Sequence, residues 1–434
     1  MANCKNLCRL FAVLFLISAP VKGTDWTQWR GPFFNGSTDE QQVPESWSQT
    51  ENLAWVSPLP GPGSATAVIS GGRVFISSMV GSSNDFVALC FDAKDGKKLW
   101  EKPVGSEPGR IRNNTMASPS PVTDGRNVFF LYGSGDLTGF DFEGNQLWSR
   151  NMADDYGTLT VSFGYSSSPL LFQNKLYIVV IRRDVPPRSG QSSSGPLDSF
   201  LLAINPQTGQ TLWKQSRPSN TYAESMESYT TPIPFINRGR LEILNIGSDF
   251  VTANDPNNGK ELWRCEYQTN KVRDSRIVPS LVTGDGLIFG TRYKHHGVFA
   301  VKPPVPDNAS EPSIVWELND PSPDVCTPLY YKGRLYVLNG IQGAMVCVDP
   351  KTGTQFWRGQ FPGKPPWRAS LTGAGDKLYC INETGDVVVL AAGDKEFKII
   401  FETKIDEGPI QSSIAAANGR LFIRTAQNLY CIGK

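Results

Sequence analysis

Histidine is almost absent from this chain of 434 residues, which contains two, side by side. Chemistry that needs several dispersed histidines is therefore not expected. An excess of one charge is also lacking, because 42 Lys and Arg residues face 41 Asp and Glu residues. A dedicated nucleic-acid-binding protein would carry a basic excess, so nucleic acid is not expected as a partner.

Long apolar runs are missing after the first residues of the chain. At the start, Lys5 and Arg9 precede a short apolar run, Leu10 to Ala19, and the segment from Pro20 to Gly23 follows it. The run is too short to span a bilayer and has the layout of a secretory signal. We predict a cleaved bacterial Sec-type signal peptide at residues 1–23, with an uncleaved anchor as the alternative. The mature protein is then expected to be soluble, periplasmic or secreted, without stable membrane insertion.

The common catalytic motifs are missing as well, since no GxSxG, HExxH, P-loop or EF-hand loop occurs. No CxxC pair occurs either, so the cysteines do not indicate a metal site. Most lie in apolar strand patterns and are predicted to be buried small apolar residues, with a disulfide between neighbouring repeats left open. The adjacent pair His295 and His296 would point to opposite faces of a strand, so no metal site is expected there.

What the sequence contains in abundance is a repeat built on aromatic residues, with 11 Trp, 23 Phe and 13 Tyr. A turn that enters an aliphatic and usually aromatic strand recurs along the whole chain, as in GGRVF, KGRLY and NGRLF. A second element, Asp or Asn, then Gly, then Trp, follows in most copies. Its clearest copies are Asp92-Gly96-Trp100, Asp141-Gly144-Trp148, Asn205-Gly209-Trp213, Asp255-Gly259-Trp263 and Asp349-Gly353-Trp357. Trp316 and Phe401 hold the same place in two degenerate copies.

The repeat length and the chain ends together predict the fold. The outer aromatic recurs about every 50 residues from Trp55 to Phe401, which suits a propeller blade of four strands. The last repeat stops after three strands, and Leu53 to Leu59 is an outer strand without partners. We therefore predict an all-β protein, an eight-bladed β-propeller whose N-terminal strand completes the C-terminal blade. The predicted segments are a signal peptide at 1–23, an N-terminal extension at 24–52 and the propeller at 53–434.

The Asp-x-x-x-Gly-x-x-x-Trp element resembles the tryptophan-docking repeat of the quinoprotein-like β-propellers, also called pyrroloquinoline quinone (PQQ) repeat propellers. The opening of the predicted mature chain, Trp26-x-x-Trp29-Arg30-Gly31-Pro32, is similar to the start of exported bacterial members. The resemblance covers essentially residues 25–434. The resemblance implies the fold. It does not imply an activity, because the docking element holds blades together and performs no chemistry.

The loops that enter the inner strands of a propeller share one face around its axis, which is the default binding surface. The candidate ligand-binding residues on these loops are Arg112, Asn114, Tyr165, Glu227, Tyr229, Arg273, Arg276, Asp324, Trp367 and Arg368. Arginines, acids and aromatics that converge there would suit a small polar or anionic ligand, or a peptide. The alternative is that these groups pair with each other around a water-filled channel.

One long insertion, residues 182–199, is rich in Pro, Ser and Gly and is predicted between the second and third strands of the third blade. Its place on the same face suggests a lid or a partner-docking loop. A tolerated surface excursion is the plainer alternative.

Three functions remain open, and the resemblance ranks them. The first is a non-catalytic binding or scaffold propeller, monomeric and without a cofactor, similar to the propeller subunit of the outer-membrane β-barrel assembly machine. It would bind a protein or a small polar ligand in the central funnel, on the face that the entering loops form around the axis. That subunit is a lipoprotein, and no lipid-attachment cysteine stands at the predicted cleavage site here.

The second function is a PQQ- and calcium-dependent dehydrogenase of alcohols or sugars. The family's enzymes hold the quinone and a calcium ion in the funnel, and many stack the quinone on a disulfide between adjacent cysteines. No two cysteines are adjacent in this chain. The third function, a sugar hydrolase or lyase, would need paired carboxylates, which Glu227 with Asp274 or Asp324 could supply.

Overall fold

The computed structural model describes residues 23–433 apart from 82, 107–110, 112–113, 160, 184–196, 269–272, 294–295 and 394. All but the last residue of the predicted signal peptide, and most of the 182–199 insertion, therefore lie outside the described residues. The strands form eight four-stranded antiparallel sheets, which confirms the predicted eight-bladed propeller.

The first four blades follow one another along the chain, each running from an inner to an outer strand. Blade 1 contains β2 (Val68–Ser70), β3 (Arg73–Met79), β4 (Asp85–Asp92) and β5 (Lys98–Ser106). Blade 2 contains β6 (Val122–Thr123), β7 (Asn127–Leu131), β8 (Asp136–Asp141) and β9 (Gln146–Asn151), followed by the short helix α1 (Met152–Tyr156). Blade 3 contains β10 (Leu170–Phe172), β11 (Lys175–Val180), β12 (Phe200–Ile204) and β13 (Thr211–Ser216). A 3-10 turn (Ala223–Met226) leads to blade 4, which contains β14 (Ile233–Asn237), β15 (Arg240–Ile246), β16 (Phe250–Asn254) and β17 (Glu261–Glu266).

The next three blades repeat this arrangement. Blade 5 contains β18 (Val282–Gly284), β19 (Leu287–Thr291), β20 (Val298–Lys302) and β21 (Ser313–Leu318). Blade 6 contains β22 (Leu329–Tyr331), β23 (Arg334–Asn339), β24 (Ala344–Val348) and β25 (Gln355–Gln360). Blade 7 contains β26 (Thr372–Ala374), β27 (Lys377–Ile381), β28 (Asp386–Ala391) and β29 (Ile399–Lys404).

Blade 8 closes the ring. It contains β30 (Ala415–Ala417), β31 (Arg420–Arg424) and β32 (Asn428–Ile432), and its outer strand is β1 (Leu53–Pro58) from the other end of the chain. Trp55 of β1 lies opposite Cys431 of β32. The predicted closure by the N-terminal strand is confirmed, and neither end of the sheet ring is left as an open edge.

The outer-strand tryptophans join successive blades in the way the repeat predicts. Trp148 Nε1 donates a hydrogen bond to the Pro206 carbonyl in the next blade at 2.7 Å. The turn glycine of that blade, Gly209, has a φ of +71°, and a Cβ on it would lie 2.6 Å from the Trp148 ring. Only glycine tolerates both the backbone angle and this close approach, so the Gly and Trp positions of the repeat depend on each other.

The junction between blades 4 and 5 departs from this rule. Blade 5 lacks the Asp-Gly turn, and Trp263 Nε1 donates instead to the buried carboxylate of Glu242 in its own blade at 2.8 Å. Glu242 also pairs with Arg240 at 2.8 Å. A buried charge-assisted network therefore replaces the usual contact between Trp and backbone.

The core consists of buried apolar layers between blades, and it includes six cysteines. All six, Cys90, Cys265, Cys326, Cys347, Cys380 and Cys431, are buried free thiols. The described ends of the 182–199 insertion, and His296, lie between the second and third strands of their blades, whereas His295 lies outside the described residues. Within the described residues no helix is long and apolar enough to cross a membrane.

Candidate functional site

A cavity of about 210 Å³ lies on the propeller axis, and the segments that enter the eight inner strands form its wall. Its lining falls into layers, because each of these segments contributes residues at the same distance before its strand. In one layer every blade contributes the same type of residue, whereas in the next layer the residue type varies from blade to blade.

The inner layer consists of a serine or threonine from every blade, here called the hydroxyl ring. Its members are Thr66, Ser120, Ser168, Thr231, Ser280, Thr327, Ser370 and Ser413, all buried, and all but Ser280 line the cavity. Each backbone N–H donates to the hydroxyl oxygen of the next member, at 2.8 to 3.2 Å, and Ser413 N donates to Thr66 Oγ1 to close the circle. The ring thus satisfies a buried backbone donor at every junction between blades.

The layer two residues earlier, here called the mouth layer, has no common residue type. Its members are Ser64, Ser118, Ser166, Tyr229, Val278, Val325, Arg368 and Gln411, and all line the cavity. Asn114, Phe163, Arg276 and Asp324 line it as well. The outer part of the cavity therefore differs in chemistry from one side to the other.

The N-terminal extension closes the inner end of the cavity. Trp26 N donates to the Ile69 carbonyl at 2.9 Å, and the buried Arg30 guanidinium donates to the carbonyls of Leu371 and Pro328 at 2.9 and 3.0 Å. These acceptors follow the ring residues by one to three positions, so the extension lies beyond the ring from the mouth layer. Trp29 lines the cavity from this side, with the Arg30 guanidinium carbon 5.8 Å from its ring centroid.

Burial lowers the pKa of Arg30 to about 9, so its guanidinium still carries a charge at neutral pH. Three backbone carbonyls, including that of Asn35, share this charge. Arg30 therefore fastens the extension to blades 6 and 7.

Most charged groups around the mouth are paired. Arg276 binds Glu224 and lies over Phe163, with its guanidinium carbon 4.6 Å from the ring centroid. Arg368 binds Glu383 at 2.5 Å. Asp324 differs, because its half-buried carboxylate has no hydrogen-bond or ion-pair partner among the described residues.

The fully buried Glu227 lies behind the cavity wall. Its carboxylate pairs with Arg183 at 2.6 Å and accepts from Ser162 Oγ and from Tyr229 Oη, each at 2.9 Å. Burial and the Glu227 charge raise the pKa of Tyr229, which therefore stays a neutral donor. The alternative considered from the sequence, that charged groups around the axis pair with each other, accounts for these contacts.

The structure brings five of the ten predicted ligand-binding residues to the cavity surface: Asn114, Tyr229, Arg276, Asp324 and Arg368. Tyr165 and Trp367 are buried instead. Tyr165 Oη donates to the Val179 carbonyl at 2.9 Å, and Trp367 packs against Phe361 with ring centroids 4.6 Å apart. The residues that follow them, Ser166 and Arg368, line the cavity, so these two aromatic side chains lie on the core side of their segments.

The other predicted residues have different positions. Glu227 lies behind the wall, Arg273 is exposed and does not line the cavity, and Arg112 lies outside the described residues. Sequence reasoning missed the hydroxyl ring and the place of Trp29. A Ser-Pro or Thr-Pro pair just before the inner strand, present at Ser120, Ser168, Thr231 and Thr327, could have revealed the ring.

The residues present do not fit the calcium ion that the resemblance implies. Calcium takes six to eight oxygen ligands, usually with several carboxylates. Asp324 is the one unpaired carboxylate that lines the cavity in the described part of the chain. The described residues also contain no group of three or more His, Cys, Asp or Glu that could hold a metal. The paired carboxylates of a hydrolase are likewise missing there, because Asp274 is exposed and Glu227 is held by Arg183.

Comparison with known proteins agrees with the fold. A family model described as "Outer membrane protein assembly factor BamB" matches residues 35–184, 247–391 and 342–432. The quinohemoprotein alcohol dehydrogenase ADH-IIG of Pseudomonas putida is 38% identical over 90 residues, which are 19% of this chain and 12% of that enzyme. The chain thus spans a small part of that curated relative.

Two solved structures resemble the whole propeller. A europium-containing methanol dehydrogenase has a TM-score of 0.67 at 10% identity, covering 95% of this chain and 98% of that one. BamB from Moraxella catarrhalis has a TM-score of 0.59 at 13% identity, covering 88% of this chain and 99% of that one. At such low identity these likenesses show the fold alone.

Proposed function

Because the chain belongs to the family described as outer membrane protein assembly factor BamB, we propose that it is an exported, non-catalytic binding protein. Its binding surface is the mouth of the axial cavity, where the varied residues of the mouth layer meet solvent. The occupant is a small polar ligand or a protein segment that reaches into the cavity.

The observation that carries this proposal is the pairing of the charged groups around the mouth. A catalytic acid or base needs a free, reactive side chain beside the substrate. Arg276, Arg368 and Glu227 each have an ionic partner, and Asp324 lacks a second carboxylate beside it in the described cavity wall. The site is therefore better equipped to hold a ligand than to transform one.

The export of the protein is part of the proposal. The basic and apolar pattern of residues 1–23 and the outer-membrane role in the family's name both support it. A fusion of residues 1–30 to a reporter that is active only in the bacterial periplasm would test it. We expect the reporter to be active, and to lose its activity when Lys5 and Arg9 are replaced by Glu. A fusion that is inactive from the start would contradict export.

A thermal-shift screen of the protein lacking residues 1–23 tests the cavity. The probes are sugars, amino acids, a short acidic peptide, a short basic peptide and PQQ with calcium. A probe that binds at the mouth should raise the melting temperature of the wild type. The rise should be smaller in the double variant Arg276→Gln/Arg368→Gln or in Asp324→Asn. The matched control is Asp274→Asn, which removes an exposed carboxylate outside the cavity. A shift that is equal in all variants would place binding elsewhere and overturn the proposal.

A PQQ-dependent dehydrogenase is the second candidate. The aromatic ring of Trp29 at the inner end of the cavity favours it, because a planar quinone could stack there. Titration with PQQ and calcium, followed by absorbance and dye reduction with alcohols and sugars, separates the two. We expect no turnover. Tight binding with turnover would overturn the non-catalytic proposal.

A further inference from the structure

The charges that the described residues place around the axial cavity balance, which favours a ligand without net charge. Among the described residues, Arg276 and Arg368 are each neutralised by a glutamate. The remaining charges are the negative Asp324 at the mouth and the positive Arg30 beyond the hydroxyl ring. An anionic ligand would meet the Asp324 carboxylate, and a cationic ligand would meet the guanidinium groups of Arg276 and Arg368, which also line the cavity.

The hydroxyl ring offers both donors and acceptors to a ligand. A hydroxyl has one donor and two acceptor sites. In each ring member one acceptor site is used by a backbone N–H, and the proton is donated to no acceptor in the part of the chain that the structure describes. Seven of these residues line the cavity, so their hydroxyls offer a belt of groups that can donate and accept around one ligand.

Trp29 adds an apolar surface at the inner end of this belt. Its half-buried side chain lines the cavity, and its indole N–H has no acceptor among the described residues. An aromatic ring beneath a belt of hydroxyls suits a molecule that is apolar on one face and polar around its edge. A pyranose has this form, with C–H groups on its faces and hydroxyl groups around its rim.

The size of the cavity suits one such ring. Pockets for drug-sized ligands measure about 300 to 1,000 Å³. The cavity, of about 210 Å³, is smaller than this range. A single sugar ring is small enough to lie within it.

We propose that the axial cavity binds one uncharged pyranose unit, either a free monosaccharide or the terminal unit of a glycan. The sugar lies across the axis, Trp29 packs against one of its faces, and the hydroxyl ring bonds its rim. Asp324 accepts hydrogen bonds from hydroxyls on the side of the sugar that faces the mouth. This inference rests on the proposed function, because it names the ligand class of the same cavity.

The test is isothermal titration of the protein lacking residues 1–23, with tryptophan fluorescence recorded in parallel. The probes are glucose, galactose, mannose and N-acetylglucosamine, their methyl glycosides and the disaccharides maltose and lactose. Glucuronic acid is the charged probe. We expect saturable binding of one unit per chain for at least one neutral probe, and at least tenfold weaker binding of glucuronic acid. Equal affinity for a monosaccharide and its methyl glycoside would identify the end of a glycan as the ligand. If the glycosides do not bind, the ligand is a free sugar.

Three variants assign the binding to the cavity. Asp324→Asn should weaken sugar binding at least tenfold, and Trp29→Phe should weaken it several-fold and reduce the change in fluorescence. Asp274→Asn should leave the affinity unchanged. Circular dichroism and the melting temperature verify that each variant is folded. Saturable binding that neither Asp324→Asn nor Trp29→Phe alters would overturn the inference.

The outcomes also separate this inference from the proposed function. If no sugar binds while a peptide or PQQ binds and Asp324→Asn weakens that binding, the sugar is wrong and the binding site stands. If a sugar binds and is oxidised in the presence of PQQ and calcium, the inference stands and the non-catalytic proposal is wrong.

Discussion

The hydroxyl ring and the mouth layer lie two residues apart in every blade, yet they follow opposite rules. All eight ring positions hold serine or threonine, whereas the mouth positions range from valine to arginine. Seven ring positions and all eight mouth positions line the same cavity. The difference therefore comes from what each position does for the fold.

Every ring residue has an obligation that most mouth residues lack. Its hydroxyl accepts a buried backbone N–H from the neighbouring blade, and leaving that donor without an acceptor would cost free energy. In the mouth layer, Tyr229 Oη does accept from Phe163 N at 3.2 Å. Ser166 makes no hydrogen bond within the described residues, and Val278 and Val325 have no polar side chain. These positions are free to vary, which is where differences in ligand between related propellers would arise.

Loss of one ring hydroxyl should give the largest loss of stability. Thr327→Val keeps the shape of the side chain but leaves the Ser280 N–H, now 3.0 Å from Thr327 Oγ1, without its acceptor. We expect the free energy of unfolding in urea to fall by about 1–3 kcal/mol. Thr327→Ser, which retains the hydroxyl, is the matched control and should lose less. Equal losses in both variants would show that the ring does not stabilise the fold.

Removal of a mouth ion pair should cost less stability. Arg368→Gln breaks the contact with Glu383. The Arg368 side chain is 35% exposed. Exposed pairs contribute about 0–1 kcal/mol, and we expect a change within that range by the same urea measurement. Glu383→Gln is the companion variant and should behave alike. A loss as large as that of Thr327→Val would erase the distinction between the two layers.

Ser166→Ala should have almost no effect on stability. Ser166 carries the same hydroxyl as a ring serine and lines the same cavity, but it accepts no backbone N–H in the described structure. We expect a change within about 0.5 kcal/mol. Ser168→Ala, two residues further on, is the direct comparison, since Ser168 Oγ accepts from Ser120 N at 3.0 Å. Equal effects of these two variants would contradict the comparison.

The predictable part of the fold is what local sequence encodes. The glycine with positive φ and the tryptophan it contacts recur at fixed spacing, so the blade number and the ring closure could be predicted. The contacts of the ring and of Arg30 join residues far apart in the chain; Arg30 reaches Leu371, for example, across 341 positions. Serine and threonine are common residues, and their spacing alone did not separate ring members from mouth residues.

The candidate site was predictable by segment but not by side chain. The entering segments form the wall of the cavity, and five of the named residues line it. Tyr165 and Trp367 belong to the same segments and face the core, although each stands one residue before a side chain that lines the cavity. A shift of one residue thus decides whether an aromatic ring meets the ligand or the core, and segment composition does not determine that shift.

The smallest signal is expected from a thiol next to the ring. Cys326 precedes Thr327, is buried, and donates from Sγ to the Trp367 carbonyl at 2.8 Å. Burial raises its pKa to about 12, so very little reactive thiolate forms at pH 8. The folded state therefore keeps the proton to higher pH than the unfolded state, and this contribution to stability is lost as pH rises from about 9 towards 12.

Native protein lacking residues 1–23 should accordingly show no rapid labelling by an aromatic disulfide reagent at pH 8. Thr327→Val should increase the slow labelling of Cys326 several-fold, because the ring opens more often beside it, as mass spectrometry of the labelled peptide would show. Ser166→Ala should leave the labelling rate unchanged. Rapid labelling of Cys326 in the wild type, or equal rates in the two variants, would mean that the ring does not protect the inner wall of the cavity. The hydroxyls would then act on a ligand alone, and the division between a structural ring and a binding mouth would have to be abandoned.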